Sequence, residues 1–379
     1  MAPEPIRIPI TNALLGDGYT VTLYIGAQQK EVSLLLDTGS STLAVENRSY
    51  DPQHDKKAAL TSMVQEVFYA DGSSWIGSVV KTDVTARSGR LSTALESVAV
   101  AVAYHETASM FGEAQGILGL AFESLDDAYT LTQPTVPPKY TPNEIRTGHH
   151  TFVEPYFMQL AEAGLSANTF SFCTRRSVMR ASKRPAADPV NNGVLILGGG
   201  EDATDLYDGG FQTALVLSDD YYDVNLKEVI VGNSAPIAVP PPTYNHKVRT
   251  NAIVDSGTNG LDLAPHLFEA IVSRMTKEQQ HLLHARRVAT SEIHLGEWPN
   301  ITFVLQGPHN SDARIVVTPE NYWQLDGLEH GEAVRSLWRG SDKQSTLGLP
   351  LMNGYLTVFD NSANHGLGVV KFARLKPLQ

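Results

Sequence analysis

Cysteine is almost missing from this chain. Cys173 is the only one among 379 residues, so no intramolecular disulfide can form, and a reducing, intracellular compartment is expected. Long apolar runs are missing too: nothing approaches the ~18 residues of a membrane span, so no membrane partner is expected. Met1-Ala2-Pro3-Glu4-Pro5 is not a basic segment leading into an apolar one, so no secretory signal is visible and a cytoplasmic location is expected. Positive charge is in deficit, with 29 Lys and Arg against 41 Asp and Glu for a net −12. That argues against nucleic acid and anionic membrane as partners. Metal-ligand clusters are also wanting. The 12 histidines include His149-His150 in a Pro/Thr-rich stretch and His281 with His284 on a helix, neither with a companion ligand set, so no metal or other cofactor is expected. Gly198-Gly199-Gly200 has no phosphate-binding lysine after it and reads as a turn.

What remains is an ordinary soluble composition, 42% hydrophobic and 18% charged, in a chain long enough for two cores. Most segments alternate with period two. Gly18–Gly26, Glu31–Leu36, Leu95–Val102, Thr169–Thr174, Val194–Leu197, Gln212–Leu217, Tyr221–Val231, Lys247–Val254, Ile301–Leu305, Arg314–Val317, Ser345–Leu349, Tyr355–Phe359 and Gly368–Phe372 read as strands. Val64–Tyr69 and Ser74–Val84 flank Asp71-Gly72 and read as a hairpin. Helices are few: Pro155–Ala163, ending at Gly164, and a long one over Pro265–Ala285. Ser124–Thr151 reads as an irregular loop. The basic, Pro/Ala/Asn-rich stretch Arg175–Asn192 reads as a connector. The expected fold class is mainly β, with domains over 1–180 and 181–379.

The two halves share a pattern. Leu34-Leu35-Leu36 runs straight into Asp37-Thr38-Gly39-Ser40-Ser41, and Ala252-Ile253-Val254 runs into Asp255-Ser256-Gly257-Thr258. Further along each half comes an apolar-apolar-Gly triplet, Ile117-Leu118-Gly119 and Thr346-Leu347-Gly348 approximating it in the second, so the chain reads as a degenerate internal duplication. A single Asp-Thr-Gly is more often an ordinary strand-to-turn with a satisfied side chain. Two copies behind buried strands suit a pair of carboxylates. Close together they cannot both ionise cheaply, so one stays protonated while the other is a base. Such a pair can take a proton from water and give one to a carbonyl oxygen.

On these motifs the chain resembles the pepsin family of aspartic peptidases from about Tyr19 to Phe372. Asp37–Ser41 and Asp255–Thr258 are similar to the family's two active-site loops, and Gly116–Gly119 and Thr346–Gly348 to the segments beneath them. Val67-Phe68-Tyr69-Ala70-Asp71-Gly72-Ser73 is similar to its flap hairpin. The resemblance implies a bilobal β fold with a cleft for an extended peptide. It implies that Asp37 and Asp255 are the catalytic residues and that Gly39 and Gly257 offer backbone N–H groups to them. Ser40 and Thr258 would bond their outer oxygens, and Thr38 and Ser256 would lock the loops together. Tyr69, with Asp71 and Gly72 in its hairpin turn, would close over the substrate. Leu35, Ile117 and Ile253 would line substrate pockets, although without the resemblance they are simply core. A monomeric endopeptidase acting between bulky apolar residues at acidic pH, bound by pepstatin-type inhibitors, is the activity implied.

The chain departs from the family in places. The tryptophan usually found after the first loop, hydrogen-bonded to the flap tyrosine, is Ala44 here, and alanine has no donor. Trp75, beyond the hairpin turn, is the aromatic placed to compensate in bulk. The usual disulfides are absent, and the stretch before Tyr19 is too short for the inhibitory prosegment, so synthesis without a zymogen stage is expected. These features resemble the cytoplasmic pepsin homologues of bacteria, the shewasin type. Two other readings stay open: a non-catalytic peptide-binding or inhibitor protein, and a two-carboxylate glycosidase, against which the symmetry of the loops speaks.

Overall fold

A computed structural model describes residues 3–12, 18–69, 72–89, 91–107, 111–134, 136–137, 140–175, 184–241, 249–327, 329–341 and 344–378. The chain is mainly β. It divides into two compact units, one formed by Met1–Ile10, Tyr19–Asn168 and Ile196–Gly198, the other by Thr11–Gly18, Thr169–Leu195 and Gly199–Gln379.

The strands of the first unit are β1 (Ile6–Thr11), β2 (Thr20–Ile25), β3 (Lys30–Asp37), β4 (Leu43–Glu46), β5 (Ala59–Phe68), β6 (Ser74–Ser88), β7 (Leu91–Glu106), β8 (Gly116–Gly119), β9 (Asp127–Thr130) and β10 (His149–Phe152). They lie side by side in the order β10-β9-β5-β6-β7-β4-β8-β3-β2-β1, and β6 also pairs with β2, so the sheet folds back on itself. The alternation seen in the sequence is the cause. Val21, Leu23 and Ile25 on β2 and Val32, Leu34 and Leu36 on β3 are buried, because side chains two apart share a face. Val84, Val98 and Val100 of β6 and β7 are buried as well, while Val79 packs in a separate cluster with Ala128 and Val153.

One expectation for this unit is overturned. Ser124–Thr151 is not an irregular loop: it holds β9, a helical turn at Pro142–Ile145 and β10. Its Pro/Thr/Asp-rich composition hides pairing partners distant in sequence. His149 lies opposite Thr130, and Met63 on β5 lies opposite Thr130 from the other side. The helical turn is started by a reciprocal cap between Thr141 and Glu144. Helix α1 (Tyr156–Glu162) follows and stops where Gly164 takes φ +68°.

In the second unit, Thr169–Cys173, Tyr355–Asp360, Val369–Leu375 and Tyr207–Leu215 neighbour one another in that order. Phe170, Phe172, Phe359 and Tyr222 stack beside them, Phe170 and Phe359 with ring centroids 4.8 Å apart. A second sheet carries β11 (Ala252–Val254), β12 (Leu261–Leu263), β13 (Leu337–Arg339) and β14 (Ser345–Leu347), in the order β11-β14-β12-β13, with Asp223–Val224 beside β11. Ile237–Ala238, Leu226–Val231, Ile301–Gln306 and Asp312–Val317 form a third sheet.

Here too the sequence misled in places. Pro265–Ala285 is two helices, α2 (Pro265–Val272) and α3 (Lys277–His284). Thr276 and Gln279 cap each other reciprocally and start a new helix, while buried Leu267, Ile271, Met275 and Leu282 carry the apolar period across the break. Tyr221–Val231 splits into Asp223–Val224 and Leu226–Val231. At the split, the Asn251 side chain accepts from Leu226 N–H at 2.7 Å and donates to Leu226 O at 2.8 Å, standing in for a neighbouring strand. Of Lys247–Val254, only Ala252–Val254 is strand; Lys247 and Val248 lie outside the described residues. Ser345–Leu349 is strand only to Leu347, and the chain turns helical over Leu349–Met352.

Candidate active site

Asp37 is the last residue of β3, delivered there by three leucines of which Leu34 and Leu36 are buried and Leu35 half-buried. β8 runs parallel to β3 with Gly119 opposite Asp37. Three backbone bonds then clamp the loop: Leu120 N–H donates to Asp37 O at 2.8 Å, Gly119 N–H to Thr42 O at 2.9 Å, and Ala121 N–H to Ser40 O at 2.8 Å. A Cβ at Gly119 would sit 2.3 Å from the Ser41 carbonyl carbon, so no other residue fits. Within the loop, Gly39 N–H donates to Asp37 Oδ1 at 2.8 Å and the Ser40 hydroxyl to Oδ2 at 2.5 Å. Both carboxylate oxygens are therefore held, and charge-assisted bonds of this kind fix a carboxylate's orientation.

The second unit repeats the construction. β14 runs parallel to β11, with Val254 opposite Leu347. Leu349 N–H donates to Thr258 O at 2.8 Å, and Gly348 N–H to Gly260 O at 3.1 Å. A Cβ at Gly348 would meet Thr258 O at 2.1 Å. Gly257 N–H donates to Asp255 Oδ1 at 2.8 Å and the Thr258 hydroxyl to Oδ2 at 2.6 Å. Behind this loop lies buried Asp223, whose Oδ1 accepts from Thr250 Oγ1 at 2.6 Å and Gln344 Nε2 at 3.0 Å. Burial pushes its carboxyl upward against those donors.

β5 and β6 pair from Ala59–Lys81 to Phe68–Ser74, and Tyr69 N–H closes the hairpin end by donating to Ser73 O at 2.9 Å. Ala70 and the expected site residue Asp71 lie outside the described residues. Gly72 is described, at φ +86°, with its N–H donated to Tyr69 O at 3.0 Å. The Tyr69 ring packs on a cluster of Ala44, Trp75, Ala101, Ala103, Phe111 and Ile117, together with Leu35 and Val67. Burial first, then the charge of Asp37, raises its hydroxyl pKa, so the hydroxyl stays protonated and can donate.

Trp75 does more than fill volume. Its Nε1–H donates to the Tyr69 hydroxyl at 3.3 Å, so the tyrosine has an indole donor although position 44 is alanine. The sequence offered only the bulk of that residue; the signal for the bond was the placement of Trp75 just across a two-stranded turn from Tyr69. Phe111 was not foreseen at all. Thr38 and Ser256 are buried, and Ile253 is half-buried on β11. Cys173 is buried as a small core residue. Among the described residues, no group of three or more His, Cys, Asp or Glu could hold a metal ion, and no helix is long and apolar enough to cross a membrane.

The sequence profile described as Eukaryotic aspartyl protease matches residues 18–373. The chain belongs to that family. Among its relatives, a beta-secretase of Strongylocentrotus purpuratus is 26% identical over 380 aligned positions. The match covers 91% of this chain and 65% of that protein. The profile takes in both aspartate loops, the β5–β6 hairpin and the two Gly-ended segments that pair with the loops.

Proposed function

We propose that Asp37 and Asp255 work as one pair and that the protein is an aspartic endopeptidase. The observation that carries this reading is the identical treatment of the two carboxylates, each with a glycine N–H on one oxygen and a hydroxyl on the other. Such a pair activates a water between them. One carboxylate takes its proton while the other gives one to the scissile carbonyl, so no covalent intermediate is needed. Tyr69 closes over the peptide. Leu35, Ile117, Phe111 and Val67 surround it with apolar surface, which supports a preference for bulky hydrophobic residues beside the cut bond. Thr38 and Ser256 brace the two loops.

Acidic working conditions and inhibition by pepstatin belong to the same proposal, because the mechanism needs one proton on the pair. A monomer in a reducing compartment, of the bacterial cytoplasmic type, is supported by the lone cysteine being buried in a strand. Digesting a peptide library between about pH 3 and 8 is the test. Cleavage is expected to fall toward neutrality, to stop with pepstatin, and to drop about 100-fold or more in Asp37→Asn and in Asp255→Asn. Peptides bound with unchanged affinity in both variants and never cut by the parent would make the protein a binder instead.

A further inference from the structure

Asp126 stands apart from the pair just described. It follows β8, directly before β9, and is fully buried. Its Oδ1 accepts from the Thr42 hydroxyl and from Gln65 Nε2, the latter at 2.5 Å. Its Oδ2 is buried without a hydrogen-bond partner, and so is Gln65 Oε1. With the carboxyl ionised, both orphans are acceptors and neither can satisfy the other. One added proton changes that. An O–H on Oδ2 can donate to the amide oxygen while the amide N–H donates to Oδ1, the pairing an acid makes with a primary amide.

The three residues come from three parts of the site. Thr42 closes the Asp37 loop, Gln65 lies on β5 four residues before Tyr69, and Asp126 follows the turn held down where the Ser41 hydroxyl donates to Phe122 O at 2.5 Å. We propose that Asp126 is a positioning residue held as a neutral acid, its Oδ2 proton directed at Gln65 Oε1, so that one carboxyl group pins the Asp37 loop to the strand bearing Tyr69. Its role in turnover rests on the peptidase reading above; its protonation does not.

Two neighbouring carboxylates oppose its ionisation. Glu123 and Asp127 flank it as like charges. Asp127 is engaged by His150 Nε2 at 2.7 Å, and Glu66, beside Gln65, takes Arg146 at 3.0 Å. Glu144 and His149 on the neighbouring turn and strand are exposed. Burial, the largest cause, together with Asp127 and Glu123 pushes the Asp126 carboxyl up to about 7, against the pull of Thr42 and Gln65. The folded protein therefore keeps a proton that the unfolded chain releases near pH 4, about the ordinary Asp value. Its stabilising contribution is full below about pH 4 and is lost as pH rises to about 7.

The test compares the full chain with Asp126→Asn, whose amide keeps the shape and carries a permanent donor. The parent's thermal midpoint is expected to fall between about pH 5 and 8, and the variant's to fall less, by about 5 °C or more. Infrared spectra of the parent minus those of the variant, in which the signals of Asp223 and of the Asp37 and Asp255 pair cancel, should show a protonated-carboxyl band that vanishes above about pH 7. Glu154, also pushed up to about 7 by burial and Glu162, is removed as a source by recording both in a Glu154→Gln background. With a quenched peptide, KM should rise about threefold more in the parent than in the variant over the same pH range. Equal midpoint slopes, or no protonated-carboxyl band in the parent-minus-variant spectrum, overturn the proposal. Should the asparagine variant not fold, Thr42→Val removes a bond favouring the anion and is expected to move the parent's fall to higher pH; an unmoved fall overturns it. A protein that cuts no peptide yet shows the band and slopes refutes the peptidase reading and leaves Asp126 as assigned.

Discussion

The two aspartate loops are alike in their hydrogen bonds and unlike in what surrounds them. Asp37 is buried, 6% exposed, under a hairpin whose tyrosine feels its charge. Asp255 is half-buried. Each loop also leans on a second, buried carboxyl, but at opposite ends. Asp126 grips Thr42, after the first loop, and Asp223 grips Thr250, ahead of the strand that leads into the second. The first loop is therefore braced where the chain leaves it and the second where the chain arrives. The short-range geometry, which the Asp-Thr/Ser-Gly sequence dictates, is the same in both loops, while the supporting network differs.

The most damaging way to probe that likeness is to fill the two close approaches. Gly119→Ala and Gly348→Ala each drive a methyl group into backbone at 2.3 and 2.1 Å, and each is expected to cost about 3 kcal/mol or more of stability. Denaturant midpoints check this, and a large loss at only one position would break the equivalence of the two β pairings. A smaller effect sharpens the difference. Ser40→Ala and Thr258→Ala each remove a hydroxyl from an outer carboxylate oxygen. About tenfold is expected in kcat/KM for each, with the serine change the larger because losing a hydroxyl donor costs a buried carboxylate more than a half-exposed one. The reverse ranking would show that exposure does not govern the pair. The smallest effect concerns the hairpin of the first unit: Trp75→Phe keeps the bulk and deletes the donor to Tyr69. A loss of about 1 kcal/mol or less is expected, with KM raised two- to fivefold, roughly the kinetic equivalent, in steady-state cleavage.

Much of this was legible in the sequence because it is local. A buried strand ending in Asp, followed by Thr or Ser and then Gly, specifies its own turn within a few residues, and the Gly after each later apolar pair marks a close backbone approach. The β class followed from alternation. What escaped depends on distance or on a break in an unbroken pattern. β9 and β10 look like loop until β5 supplies their partner. The apolar period of Pro265–Ala285 continues straight through the cap at Thr276. Asp126, beside Asp127 in a polar stretch, reads as a solvated acid, and only the fold places it between Thr42 and Gln65.

Tyr69 and Trp75 are six residues apart on one hairpin, which changes what their hydrogen bond does mechanically. A donor at position 44 would belong to β4 and would tether the tyrosine to the bed of the site. Trp75 belongs to β6, the partner strand in the tyrosine's own hairpin, so the bond stays within that hairpin. The Tyr69 hydroxyl also meets the Ser40 side chain in the first aspartate loop, so withdrawing the tyrosine would break that second bond as well as peel its ring from Leu35, Ala44 and Ile117. The apolar share of the resistance to that withdrawal should soften with anything that weakens such contact, cooling included.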